Sequence, residues 1–304
     1  MPIHSSQNTV LRKKVKSDSN SSNSVKAIKS AKIISFINLK GGVGKTTLCL
    51  TIAEILSFGF GKKVLLIDLD SQSNLSSAIV TKDILDEYRK KKSSIYHLFL
   101  KLLNTNQHSQ DWNLQNAIVT SCSNIRGNSN LNAILSLPEL GQFDEDLADT
   151  LEKGGKKSTK SGIKITIAWR KILKNNLSSL ISEYDYILID CPPSLSLFTS
   201  NALVASNYFV TPISPEYLSI QGLDLIQNRV SKLQRRIGKD MNVKFAGCII
   251  NRVDIRRKDH VRMCGDPVFR NPGKFMAYKY WVGDLKPMYI EPLAETTQID
   301  RVVL

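Results

Sequence analysis

Cysteine is scarce and scattered along this 304-residue chain: Cys49, Cys122, Cys191, Cys248 and Cys264 form no CxxC pair. An odd set without such spacing supports neither a disulfide framework nor a zinc site, and reads as five buried or partly buried thiols. The four histidines, His4, His97, His108 and His260, are isolated, so no metal cluster is expected. No apolar run approaches the ~18 residues of a membrane span. The N-terminus has no apolar stretch of the kind a secretory signal needs. A soluble, cytoplasmic protein without stable membrane association is expected. Acidic residues are also a minority: 27 Asp+Glu face 42 Lys+Arg, for a net charge of +15.

The positive charge is localised. Residues 1–32 carry seven Lys/Arg against Asp18 alone, and residues 227–288 carry fifteen against five Asp. The remainder is close to neutral. Clustered cations favour a polyanionic partner, because Lys and Arg neutralise phosphates and release counterions. The alternative is a solvated basic surface. Residues 1–30, rich in Ser, Asn and Lys and free of aromatics, read as a disordered basic tail. Its Arg12, Lys13, Lys14 and Lys16 either assist the polyanion surface or merely solubilise.

From Ala31 the pattern changes. Short apolar runs end at polar or glycine-rich punctuation: Ile33–Ile37, Val64–Ile67 before Asp68, Tyr186–Ile189 before Asp190, Tyr208–Val210 and Phe245–Ile250 before Asn251. Runs of this kind are buried parallel strands. Helical stretches lie between them, near 45–58, 167–181 and 222–237. The expected fold is α/β: a doubly wound, mostly parallel sheet with helices on both faces. Polar residues that follow each strand then collect at one sheet edge. One ATPase domain over 31–304 is expected. It carries short, unplaced strands and helix in 82–136, a mobile polar surface insertion around 137–165, and a loop-rich basic segment with aromatics at 258–286.

The segment after the first strand is Lys40-Gly41-Gly42-Val43-Gly44-Lys45-Thr46-Thr47. Its glycines let backbone N–H groups curl around phosphate oxygens, and the following helix adds its positive end. Lys45 reaches the β- and γ-phosphates of ATP, and Thr46 helps hold Mg²⁺. Asp190, ending a strand beside the loop strand, suits a Mg²⁺ partner acting through water. One departure matters. The general pattern has glycine at position 39, where Leu39 stands, and a second lysine, Lys40, opens the loop at its rim.

These residues resemble the ParA/MinD family of P-loop ATPases, whose deviant loop signature 40–47 matches without a gap. Leu65 to Asn74 is similar to the family's D-x-D-P-Q-G-N motif, with Ser71 and Ser73 in place of Pro and Gly. Tyr184 to Ser194 resembles its Walker B segment. The likeness covers about 31–100 and 167–256 and lies nearest the chromosome and plasmid partition ATPases. It implies that Lys40 contacts ATP across a homodimer interface and that Asp70 positions the attacking water. It further implies that Glu216 touches the partner's nucleotide, that Asn251 and Arg252 contact the base, and that Arg256 binds DNA.

From the residues alone Asp70 is either catalytic or a structural cap, and a direct role for Asp68 is open. The resemblance implies slow ATP hydrolysis in a dimer that binds DNA non-specifically, stimulated by a ParB-like or adaptor protein. Arg235, Arg236, Arg256, Arg257 and Lys258 are the DNA candidates, with Arg235 and Arg236 equally readable as solvated. Three alternatives differ in chemistry: positioning of another cargo, a MinD-like membrane ATPase and an iron–sulfur reductase. The second needs a C-terminal amphipathic helix, and Arg301 to Leu304 ends without one. The third needs cluster cysteines that the scattered set does not match.

Overall fold

The computed structural model describes residues 30–103, 113–143, 167–215, 217–254, 256–258 and 260. The segment 258–286 falls almost wholly outside this range. Seven strands form one sheet in the order β3-β4-β2-β5-β1-β6-β7. They are β1 (Lys32–Phe36), β2 (Val64–Asp68), β3 (Ile118–Val119), β4 (Leu131–Ile134), β5 (Tyr186–Asp190), β6 (Tyr208–Ile213) and β7 (Lys244–Ile250). All neighbours pair in parallel except β3, which runs antiparallel to β4 at the edge.

Side chains alternate across the pleat, so each apolar run feeds two cores. Ile33, Leu65, Ile67, Ile187 and Ile189 face one layer. That layer packs α4 (Ile95–Leu103), α5 (Ile172–Leu177), α6 (Leu197–Ala205) and α7 (Tyr217–Ile237). Ile34, Phe36, Leu66 and Leu188 face the other. There α1 (Lys45–Glu54) supplies Leu48, Cys49 and Ala53, and α2 (Asn74–Ile79) supplies Leu75 and Ile79. Continuous apolar strands are thus buried on both faces, as expected for parallel sheets.

The helix expected to end near Phe58 runs as α1 and closes in one π-turn, Ile55–Gly59. A bulge at Phe209/Val210 offsets β7 against β6, and Gly247, opposite it, absorbs the irregularity at φ 135°. The short strands of 82–136 resolve into β3 and β4, and β4 joins the sheet directly beside β2. The polar insertion does not begin at 137. Leu137, Leu140 and Phe143 are buried, and Phe143 packs near Phe99 and Phe198 in the core. The apolar residues of 137–143 anchor that stretch, and the rest of the expected insertion lies outside the described residues.

Among the described residues no helix is long and apolar enough to cross a membrane, and no group of His, Cys, Asp and Glu is arranged to hold a metal by itself. Cys49, Cys122, Cys191 and Cys248 are buried, and burial raises all four thiols. Cys264 lies outside the described residues.

Candidate functional site

The site forms where β1, β2 and β5 end side by side. Register pairs Phe36 and Asp68 with Asp190, so the loop after β1 faces two carboxylates at once. Asn38 holds the chain as it leaves β1. Its amide donates to the Pro212 carbonyl (2.6 Å) and its side-chain oxygen accepts the Lys40 N–H (2.9 Å). Leu39, standing where the general pattern has glycine, is half-buried and packs against the core.

Two turns of the loop need left-handed backbone. Gly42 sits at φ 74° and Gly44 at φ 91°, the latter capping α1. Gly44 also permits a close approach: a Cβ there would lie 2.1 Å from the Asn251 side-chain nitrogen. Asn251 donates to the Val43 carbonyl (3.0 Å), and its own N–H is held by the Ile213 carbonyl (2.8 Å). Arg252, at φ 59°, brings its guanidinium toward Gly42. Both residues expected to contact the base therefore meet the phosphate loop in this structure.

The two lysines differ in exposure. Lys45 is buried, with Nζ 3.4 Å from the Lys40 carbonyl. Burial holds its pKa below the ordinary value, while Asp190 and then Asp70 oppose that shift. Lys40 is exposed at the rim.

The three carboxylates have separable environments. Asp68 accepts from the Ser76 hydroxyl (2.7 Å), the Ser76 N–H (2.9 Å) and the Asp70 N–H (3.0 Å). It is a tie between β2 and α2, with no lone pair directed at the loop by these bonds. Burial raises its pKa, and those hydrogen bonds oppose the rise. Asp70 accepts the Gln72 N–H (3.0 Å), and its carbonyl receives the Ser136 hydroxyl (2.8 Å) and the Ser73 N–H (2.9 Å). Only one of its carboxylate oxygens is used in the turn. Ser73, where the related motif has glycine, keeps a left-handed backbone at φ 53°.

Asp190 is the outlier. It is fully buried, and neither carboxylate oxygen makes a well-formed hydrogen bond, although the Thr46 hydroxyl is close enough to offset part of the burial. Desolvation lifts its pKa, the neighbouring Asp68 charge lifts it further, and Thr46 and Lys45 oppose. A buried, unsatisfied carboxylate is costly unless something else compensates it. Beside the Thr46 hydroxyl, with only oxygen donors at hand, the arrangement fits Mg²⁺, a hard cation that keeps water ligands.

Reading the sequence missed Asn38, Ser76 and Ser136, the polar residues that aim the loop and Asp68. Glu216 lies outside the described residues. Arg235 and Arg236 are exposed near the end of α7. Arg256, Arg257 and Lys258 are exposed beyond β7, but Arg256 forms a two-point pair with Asp254 (both bonds 3.0 Å). That pair holds the Asp254 carboxyl down to about 2. The Asp254 N–H in turn donates to buried His260 (3.1 Å), which braces the loop.

The "AAA domain" family matches residues 31–243. The sporulation initiation inhibitor protein Soj of Bacillus subtilis is 30% identical over 225 residues, 74% of each chain. The chromosome-partitioning ATPase Soj of Treponema pallidum is 30% identical over 227 residues, 75% of this chain and 74% of that one. A solved plasmid partition protein from Borrelia burgdorferi, bound to AMPPNP, aligns with a TM-score of 0.60 at 27% identity, covering 85% of this chain and 90% of the other.

Proposed function

Because the chain belongs to the P-loop ATPase family that includes the Soj and ParA partition proteins, we propose that it is a partition-type switch that dimerises around ATP and releases on hydrolysis. It is an ATPase, and its cofactors are ATP and Mg²⁺. Phosphoryl transfer asks mainly for positioning and charge neutralisation. The residues of 40–47 cradle the phosphates through backbone N–H groups, with Lys45 set against the β- and γ-phosphates. Thr46 and Asp190, the latter through water, would hold the metal, which would supply positive charge against the phosphates. Asp70 orients the attacking water with the carboxylate oxygen its turn leaves over. Asn251 and Arg252, which lie beside the phosphate loop at the end of β7, contact the base in this reading, and Glu216 contacts the partner's nucleotide.

The observation that supports the dimer is the pair of lysines. Lys45 is buried in its own loop, whereas Lys40, four residues beyond the end of β1, is exposed with its N–H anchored by Asn38. An exposed lysine at the rim of a phosphate loop supports a role toward a second copy. Each site is then complete only in the dimer, and a ParB-like protein or another adaptor stimulates its turnover.

The dimer carries DNA non-specifically in this reading, through Arg235, Arg236, Arg257, Lys258 and Arg256. Backbone contacts of this kind position without reading bases. Asp254 competes for Arg256. The test is fluorescence anisotropy with two unrelated duplexes in AMPPNP and in ADP. Equal affinity for both duplexes, present with AMPPNP and weak with ADP, is expected. For about four phosphate contacts the affinity falls about 100-fold between 50 and 200 mM salt, and Asp254→Ala raises it severalfold by freeing Arg256. Salt-independent binding, or no binding with AMPPNP, refutes the DNA reading.

A further inference from the structure

The longest helix turns a basic face onto a cleft that the nucleotide site does not use. Along α7, Arg229, Lys232 and Arg236 recur at i, i+3 and i+7, which places them on one face. That face and α6 border a cleft of about 330 Å³, which Arg170, just before α5, closes from a third side. Leu203 and Ser200 of α6 form its buried floor. Among the described residues no carboxylate lines it. The Ser200 hydroxyl is committed to the Ser196 carbonyl (2.9 Å), so the cations dominate the chemistry.

Arg229, Lys232 and Arg236 share one concavity with Arg170. Burial lowers the pKa of Arg170, and the Arg236 charge lowers it further. Arginine stays charged in a protein, so the exposed cations of α7 favour an anion in the cleft. Among the described residues no carboxylate forms an ion pair with Arg229, Lys232 or Arg236. Planar guanidinium forks match phosphate oxygens two at a time, and a lysine adds a point charge.

We propose that this cleft is a second phosphate-binding site, separate from the P-loop, for a compact phosphorylated anion. Its volume falls at the low end of small-ligand pockets, about 300–1,000 Å³. Arg236 is also a DNA candidate, but Arg229 and Lys232 line the cleft without belonging to that set. The leucine floor and walls then receive the uncharged part of the ligand.

The probe is inorganic pyrophosphate, titrated calorimetrically into the full chain with the P-loop already saturated by Mg²⁺ and AMPPNP. One pyrophosphate per chain is expected to bind, more weakly as salt rises. In Arg229→Gln/Lys232→Gln its affinity falls by about 10-fold or more, since each charged hydrogen bond contributes substantially. AMPPNP affinity and thermal midpoint stay unchanged in that variant, which separates the loss from misfolding and from the P-loop. Absence of pyrophosphate binding in the wild type overturns the proposal, as does undiminished binding in the double variant. If the wild type takes no pyrophosphate while the variant loses DNA retention, the cations serve a DNA backbone and the small-anion site is refuted.

Discussion

Asp190 should be worth more to the function than to the fold, and replacing it with asparagine separates the two. The carboxylate is fully buried with neither oxygen in a well-formed hydrogen bond, only the nearby Thr46 hydroxyl offsetting this, and Asp68 adds a second negative charge alongside. Its pKa in the folded protein is therefore raised above the ordinary 3.8. A raised carboxylate pKa means the folded state binds that proton more tightly than the unfolded state. Stability without ligand then falls as pH rises from the unfolded value through the raised one, and the full penalty stands above it. Asp68 has the same sign, so the slopes of the two add.

Asp190→Asn keeps the shape and removes the charge. It leaves polar atoms in place but without an ionic desolvation cost, a gain of about 1–3 kcal/mol. In a chain of this size that is roughly 2–8 °C in the unfolding midpoint. The gain is expected at pH 8 and should shrink toward pH 5, where the wild type is itself more protonated. The variant should at the same time lose most of the Mg²⁺-dependent part of AMPPNP affinity, about 10–100-fold by analogy with other residues that support a metal. Calorimetric unfolding at pH 5 and pH 8, with and without Mg²⁺ and AMPPNP, measures both effects. A midpoint lowered at pH 8, or unchanged Mg²⁺ dependence, refutes the assignment of Asp190.

Two further substitutions probe the loops. Gly44→Ala sets a Cβ 2.1 Å from the Asn251 amide in a backbone at φ 91°. Left-handed strain and loss of the Asn251–Val43 bond together cost about 2–3 kcal/mol, and binding of a fluorescent ATP analogue should disappear. Normal binding would show the loop to be pliable. Ser73→Gly relieves the φ 53° strain of the turn after Asp70. It should stabilise by about 1 kcal/mol, read as a midpoint raised by about 2–4 °C. A lowered midpoint would mean that the Ser73 side chain matters more than its backbone.

The strands that build the site were legible because each is an apolar run halted by Gly, Asp or Asn. Such a run has few alternatives to a buried parallel strand. β4 was harder to place, since Asn132 interrupts Leu131-Asn132-Ala133-Ile134, and in the fold that asparagine is used by Ser121 and Tyr184. Phe143 borders an acidic stretch, which hid its place beside Phe99 and Phe198. Asp68 and Asp70 look alike in sequence. Only the spatial arrival of Ser76 at the Asp68 carboxylate distinguishes the structural carboxylate from one with an oxygen to spare, since Ser136 reaches Asp70 at its main-chain carbonyl. Serine bears no mark in sequence of whether it will meet a carboxylate or water. The lysine pair was legible, because spacing alone puts Lys45 at the helix start and Lys40 at the rim.

The lysine pair also decides whether the protein is a switch or a solitary ATPase. Sedimentation velocity of the wild type and Lys40→Ala, each with Mg²⁺ and either AMPPNP or ADP, addresses this in one experiment. The wild type should sediment as a dimer with AMPPNP and as a monomer with ADP. Lys40→Ala should bind AMPPNP yet remain a monomer. Dimerisation of Lys40→Ala at wild-type concentrations, or a wild type that stays monomeric with AMPPNP, would contradict a site completed by a second copy.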